Sequence, residues 1–552
     1  MFFNDLKNEM EPESVFNNAL EIWNHFNCTN HGEFIDLYLK SDVMILADLF
    51  EKFRAVDLKH FEIDPCHCYS SPGLTWQAGL KYTGINLELL TNQEILLTFE
   101  EAIRGGISGI MGTRYAKADD NHKLLYVDAN NLYGWAMMEC MPYEDFQIYE
   151  PDHEITKEII LSITDESQIG YFLEVDLDYP DTIKFKSQNF PFCPESLFID
   201  DDELSDYQKS LLLGKKRPKV NKLILTQKDK KKYIVHYRLL QFYLNQGMVL
   251  KKVHRIISFK QKKWLRPYID FNTRQRMVAA TDFEKDFFKL MNNAFYGKTC
   301  ENIRNRKDVK LVTDEDEALK LHANPKFDSV NIFDEDLCAI LMRKTTMKFD
   351  KPIYIGATVL ELSKLLMYRF YYETLQPYFG EKHIELLYQD TDSFVLKIET
   401  KDLQQDLFQL KEHFDFSNYP RNHPLYDNSK KKVPGYFKDE LAGEEMTEFI
   451  ALRSKMYAYK THDNETKKLK GIARHVVKKD ISFDNYFDSL MGNTIYYHKM
   501  RSLRSRQHEM YVEEVNKLSL NPFDDKRYIS DDGITTLPFG FTDVSRFGYT
   551  NV

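Results

Sequence analysis

Two short segments set aspartates among strand-forming apolar residues: Tyr126-Val-Asp128-Ala-Asn-Asn-Leu-Tyr133-Gly and Tyr388-Gln-Asp390-Thr-Asp392-Ser393. A lone Asp-x-Asp turn is most often just a solvated turn. Two such segments together have a chemical use. Phosphoryl transfer asks little covalent work of a protein; it needs cations that neutralise phosphate charge and lower the pKa of the attacking oxygen. Mg²⁺ takes oxygen ligands and keeps waters, so one or two carboxylates per ion suffice. Two ions ~3.5–4 Å apart need at least two shared carboxylates from different segments. Asp128 and Asp390 supply them if their strands are neighbours in one sheet. A third segment, Lys289-Leu-Met-Asn-Asn293-Ala-Phe-Tyr296-Gly297-Lys298, places Lys289, Asn293 and Tyr296 on one helical face. A cation, an amide and a ring in that order suit a triphosphate, a sugar and a base; the plainer reading is an amphipathic helix with a glycine end. Arg274 and Arg276 lie upstream and add charge for the same phosphates.

The elements that must position these groups are partly visible. Residues 33–62 read as helix, with Phe34, Leu37, Tyr38, Ile45, Leu49 and Phe50 at helical spacing. Leu124–Asp128 is a short buried strand, and 151–235 mixes strand-like pieces such as Tyr171–Leu177 with an acidic and then a lysine-rich loop. Thr281–Lys298 is helical with a start at Asp282, 307–350 is polar and irregular, and Ile355–Thr374 is a long buried helix. His383–Tyr388 and Phe394–Ile398 form a hairpin. After Lys460 the chain reads as charged and mostly helical, ending in a Gly- and Phe-rich tail.

The 552 residues suggest three or four structural units, and 43% apolar content with 33 Tyr and 39 Phe supplies several cores. No stretch reads as a membrane span, and the first residues lack the basic start and apolar run of a signal peptide. The seven cysteines are scattered; Cys66-His-Cys68 has no second pair at zinc-site distance and reads as structural or incidental. Reduced cysteines imply an intracellular protein. The net charge is −11, yet residues 215–306 hold 24 Lys and Arg against 6 Asp and Glu, a local +18 that leaves −29 elsewhere. That distribution suits a local polyanion site, although 215–232 alone reads equally well as a solvated lysine-rich loop.

Together the three segments resemble motifs A, B and C of family B DNA polymerases. Motif C agrees at Tyr388, Asp390, Thr391, Asp392 and Ser393. Motif B agrees at Lys289, Asn293, Tyr296 and Gly297, with Ala294 where Ser is usual. Motif A agrees at Asp128, Leu132 and Tyr133, with Asn131 for Ser and Gly134 for Pro. Lys455-Met-Tyr457 resembles the family's Lys-x-Tyr element near the primer end. Ile103-Arg-Gly105-Gly106 resembles its Tyr-x-Gly-Gly linker, with Ile at the Tyr position. Asp36-Leu-Tyr38-Leu-Lys-Ser-Asp42 resembles the last exonuclease motif. Two insertions fall where the protein-primed branch carries its extra regions, and the nearest resemblance is to polymerases of Maverick/Polinton transposons and related viruses and linear plasmids. The similarity runs from about Phe34 to the end.

The resemblance implies an α+β right-hand polymerase fold: a palm with an antiparallel sheet and helices, helical fingers, a thumb, and a partial N-terminal exonuclease-like region. Residues 1–115 would be a remnant of a 3′–5′ exonuclease domain and linker, 116–150 palm with motif A, and 151–235 an insertion of protein-primed type. Residues 236–306 would be fingers with motif B, 307–350 a second insertion, 351–450 palm with motif C, and 451–552 thumb and tail. Two Mg²⁺ ions, with Mn²⁺ able to substitute, would be held by Asp128, Asp390 and the carbonyl of Ala129, with Asp392 tuning the cluster. Leu132, Arg276, Lys289 and Asn293 would serve the incoming nucleotide, Tyr133 would lie under its sugar, and Tyr296 would pack on the nascent pair. Gly105, Gly106, Gly297, Lys455 and Tyr457 would contact DNA. Tyr38 and Asp42 would be vestigial exonuclease residues, and a single acid there implies no proofreading site. The implied partners are template and primer DNA, dNTP and a terminal priming protein, with no membrane. The implied location is the nucleus or cytoplasm of a host cell, not outside it. Two alternatives remain: a catalytically decayed transposon-derived DNA-binding protein, against which Asp128, Asp390 and Lys289 all stand, and an RNA polymerase or reverse transcriptase, which Tyr133 and the Lys289 helix disfavour.

Overall fold

The computed structural model describes residues 2–506 and 509–541; the far end of the Gly- and Phe-rich tail lies outside them. Its centre is a nine-stranded antiparallel sheet. In chain order the strands are β1 (Ser108–Ile110), β2 (Tyr115–Lys117), β3 (His122–Ala129), β4 (Ile384–Asp390), β5 (Ser393–Glu399), β6 (Phe437–Asp439), β7 (Met446–Arg453), β8 (Met456–Thr461) and β9 (Glu465–Leu469). They run β9-β8-β7-β3-β5-β4-β1, with β6 on β3 and β2 on β7. The two strands that carry Asp128 and Asp390 are not direct neighbours: β5 lies between them and bonds both.

The period-two alternation of β3 divides its side chains between two cores. Leu125, Val127 and Ala129 join the main core, where the helix Ile353–Arg369 covers the sheet, while Leu124 and Tyr126 face a second core with Tyr388, Phe449 and Tyr457. The covering helix is buried along almost its whole length, and it runs on into a π-helical turn, Phe370–Leu375, where Phe370 stacks on Phe437 at 3.5 Å. Asp128 and Asp390 share parity with Tyr126 and Tyr388, so they emerge on the face away from that helix.

Six helices matter to the site: α1 (His31–Phe61), α2 (Ser71–Thr83), α3 (Leu132–Met138), α4 (Arg266–Val278), α5 (Asp282–Thr299) and α6, the covering helix Ile353–Arg369. Thr281 and Glu284 form a reciprocal capping box at the start of α5. Phe287, Phe288, Met291 and Phe295 are buried along α5. Each such side chain contributes ~1.5–3 kcal/mol against about 1 kcal/mol for a cap, so packing rather than the cap fixes α5 in place. The packing partner is α2, where a side chain at Gly79 would strike the Phe295 ring.

Several expectations fail here for identifiable reasons. Residues 236–306 are not simply helical: Val249–Lys262 is a 14-residue strand of a second sheet with 141–149, 169–178 and 230–236, which the border at 235/236 cuts. Residues 307–350 are not irregular but fold as a three-stranded sheet with a helix at Glu315–His322. Val312, Ile340 and Met342 anchor its core, with Ala318, Leu321, Phe327 and Cys338 packed against them. The border at 450/451 falls inside β7, and the central sheet continues to Leu469. Beyond two short helices the chain forms a long hairpin, Tyr496–Arg506 with Glu509–Leu520, rather than more helix. Cross-strand pairs such as Arg504–Glu513 at 3.0 Å support it, and their charges hide the strand alternation.

Helix α1 matches the expected 33–62 element, but it does not pack on the central sheet. Its last turns meet α2 and α5, with Phe53 edge-on to Phe287, while Ile45, Leu49 and Phe50 stay exposed. The C-terminal segment 521–541 returns to the sheet. The fully buried Arg114 guanidinium donates to the carbonyls of Leu452, Pro522 and Gly533 at 2.9, 2.5 and 3.0 Å. Lys526 donates to the Ser108 carbonyl at 2.7 Å, and Thr536 to Gly112 at 2.6 Å. Among the described residues no helix is long and apolar enough to cross a membrane, and all seven cysteines are free.

Candidate active site

Register brings the aspartates together. Ser393 pairs with Asp128 on one side and with Asp390 on the other, so both acids sit at the same end of β3-β5-β4. The tip between them is tight: Thr391 takes a left-handed backbone with φ 63 and donates its N–H to Ile107 at 2.7 Å. Gly106 lies against that tip, where a side chain would meet Thr391 at 2.5 Å, so this glycine is required by packing. Gly105 beside it has open space. The Asp392 carbonyl accepts the Ala129 N–H at 2.7 Å and locks the motif C turn to motif A.

Electrostatics leave this corner short of positive charge. Burial, then the neighbouring Asp392, push the Asp128 carboxyl up to about 7. Burial and Asp390 also raise Asp392. Two lysines partly compensate. Lys455 lies 2.8 Å from Asp390, and Lys438 lies 3.6 Å from Asp128 and 2.6 Å from Glu440. Lys438 and Glu440 escaped the sequence reading; β6 pairs Lys438 directly with Asp128, and only that pairing reveals them. Lys455 sits in the left-handed turn between β7 and β8, its N–H bonded to the Tyr388 hydroxyl at 2.7 Å. Tyr457 is buried against Tyr388, 4.7 Å between rings, and bonds the Tyr126 hydroxyl at 3.1 Å.

Crowded carboxylates whose charge is disfavoured suit divalent cations. Among the described residues no three His, Cys, Asp or Glu side chains converge to hold a metal by themselves. Ions held at such a site would complete their coordination with further oxygen donors and water.

Motifs A and B meet through their tyrosines. The rings of Tyr133 and Tyr296 lie 4.3 Å apart, and burial with Tyr296 raises the Tyr133 hydroxyl well above its ordinary value. Leu132 next to it is only 2% exposed, so its side chain belongs to the core. Lys289, Asn293 and Gly297 are exposed on α5, while Arg276 on α4 is half-buried with an Nε that has no hydrogen-bond partner. Tyr38 and Asp42 are both exposed on α1. From Asp390 a cleft of about 770 Å³ leads past Lys455 and Tyr457 to Lys467, Lys468 and Lys470 of the β9 end and Arg474. These cations lie outside the +18 stretch, in a part of the chain whose charge pattern reads as mostly helical but which forms β9 and the turn after it.

The family described as DNA polymerase type B, organellar and viral, matches residues 4–376. Among solved structures, Phi29 DNA polymerase with primer-template DNA in a post-translocation binary complex superposes with a TM-score of 0.57 at 13% identity, over 94% of this chain and 76% of that one. Its ternary complex with incoming nucleotide gives 0.52 at 13% identity, over 82% and 68%, and its complex with single-stranded DNA gives 0.51 at 14%, over 92% and 74%. No curated protein sequence matches. The fold is the right-hand polymerase fold. This chain belongs to the type B DNA polymerase family, and its enzyme class is DNA-directed DNA polymerase.

Proposed function

We propose that the protein adds deoxynucleotides to a primer end by two-metal-ion phosphoryl transfer, serving replication of a transposon, virus or linear plasmid. The observation that carries this reading is the shared sheet end of Asp128 and Asp390, joined through Ser393. Bound Mg²⁺ would lower the pKa of the attacking hydroxyl and neutralise the phosphates. Asp128, Asp390 and the Ala129 carbonyl would hold the ions, with Asp392 fixing the turn. Lys289 and Arg276 bind the phosphates of the dNTP from the helix hairpin, which is the fingers of this hand. Tyr133 lies under the sugar with Tyr296 beside it. Lys455 and Tyr457 hold the primer strand at the mouth of the basic cleft. Primer extension with Mg²⁺ and dNTPs tests the whole reading; a protein that binds the duplex and never extends it would be the decayed DNA-binding form.

DNA binding is expected to be salt-sensitive despite the net −11 charge. Each phosphate neutralised by a lysine or arginine releases counter-ions, so log K should fall linearly with log salt. Anisotropy titrations at several salt concentrations measure the slope, and a flat plot would mean that the basic groups face solvent.

Priming by a protein hydroxyl is supported only by the likeness of the two insertions, 151–235 and 307–350, to the extra regions of the protein-primed branch. In this reading a Ser, Thr or Tyr of a terminal protein enters the place later held by the primer end. Incubation with such a partner and labelled dNTP should yield a covalent protein–dNMP adduct that Asp390→Asn abolishes. Initiation on nucleic acid primers alone would reject it.

A further inference from the structure

The loop 428–436 is strapped to motif A. Buried Asp415 accepts the Asn130 side-chain amide at 2.7 Å, the Ser417 N–H at 2.9 Å and the Lys432 N–H at 2.9 Å. Asn130 in turn donates its N–H to the Tyr436 carbonyl and accepts the Gly435 N–H, both at 2.8 Å. This strut holds Lys432 in a left-handed backbone, φ 59, that a lysine seldom adopts. The side chain so placed has Arg276, Lys431 and Lys285 in its neighbourhood, with Asp415 the acid that counters them. Burial, then Arg276, Lys431 and Lys285, hold its ammonium below the usual lysine range. Lys285 is paired with Asp282 at 2.9 Å, and neighbouring Lys430 with Glu412 at 3.4 Å. Lys432 and Arg276 form no ion pair among the described residues; the carboxylates that influence them are Asp415 and Asp286, neither in ion-pair contact. Cations from the sheet side and the helix hairpin thus lie near each other, each with a single acid nearby and neither in an ion pair, an arrangement that costs energy until a polyanion enters.

We propose that Lys432 binds the terminal phosphates of the incoming nucleotide from the sheet side, facing Arg276 of the hairpin. The triphosphate is then the counter-ion that lets the hairpin and the sheet close on each other. When pyrophosphate leaves, the facing cations repel and the site reopens. This rests on the polymerase reading above.

Single-nucleotide incorporation on a fixed primer–template tests it, with wild type, Lys432→Met, Lys432→Gly and Lys432→Arg compared. Removing one charge-assisted phosphate contact should raise the KM for dNTP about tenfold. That increase should carry most of the loss in kcat/KM, while the affinity for primer–template, read by anisotropy, stays unchanged. Lys432→Gly relieves the left-handed backbone and still lacks the ammonium, so it must show the same rise even if the Met variant misfolds. Lys432→Arg should recover most of the effect. An unchanged KM for dNTP in the Gly variant, a parallel loss of DNA affinity, or no recovery with Arg overturns the proposal. No incorporation by wild type overturns it together with the polymerase reading, whereas active wild type with an unaltered Gly variant overturns this proposal alone.

Discussion

Asp128→Asn and Asp390→Asn should each lower the rate of primer extension by at least ~10³, because in the proposed reading the cations they would hold supply most of the electrostatic stabilisation of a phosphoryl-transfer transition state. Asparagine keeps the shape of the side chain and removes its charge, so the sheet end should survive. Asp128 is half-buried at the sheet end, 3.6 Å from Lys438, and Asp390 meets Lys455 at 2.8 Å. Asp392→Asn should cost less. Its tie to motif A runs through its backbone carbonyl, which accepts the Ala129 N–H at 2.7 Å and is retained in the variant. Extension rates with Mg²⁺, measured beside circular dichroism to confirm folding, decide the matter. Near-normal extension by either of the first two variants would remove these residues from the site.

Shortening Tyr133 to Ala or Val should raise ribonucleotide incorporation relative to deoxyribonucleotide. A ring under the sugar rejects a 2′-hydroxyl by occupying its space, which is specificity by exclusion. A steric pocket that must exclude one added hydroxyl discriminates by about 10², so the dNTP/rNTP ratio of kcat/KM should fall by up to about that factor. Tyr133 is packed at 4.3 Å on Tyr296, so part of its role is structural. The ratio separates the two roles: a variant that only loosens the packing slows both sugars alike, and an unchanged ratio rejects the gate.

The parts of this molecule that were legible in its sequence are those where a local pattern suffices. The apolar runs around Asp390-Thr-Asp392 announced β4 and β5, and the 3.6-residue rhythm through Phe287, Met291 and Phe295 announced α5. What stayed hidden depends on pairing across long stretches of chain. That Asp128 and Asp390 share a sheet end through Ser393 is a fact of register, and period-two alternation constrains faces but not partners. Lys438 enters only because β6 pairs with β3. Lys432 enters only because Asp415, 17 residues away, holds its backbone. Misreadings had the opposite cause. The charged faces of the 496–520 hairpin mask its alternation, and the helical spacing of apolar residues in α1 does not tell which of them are covered: Ile45 and Leu49 remain exposed.

The return of residues 521–541 to the central sheet has a consequence for how the enzyme comes into being. Ribosomal synthesis delivers Asp128, Asp390 and Lys455 long before Pro522, Lys526 and Gly533. Until those arrive, the guanidinium of Arg114 lacks two of its three carbonyl acceptors. Ser108, whose strand borders Asp390, also waits for Lys526. Contacts that span more than 400 residues are slow to form and raise the barrier to folding. A nascent chain can therefore carry Asp128, Asp390 and Lys455 and still lack a rigid sheet end until residues 521–541 dock on it.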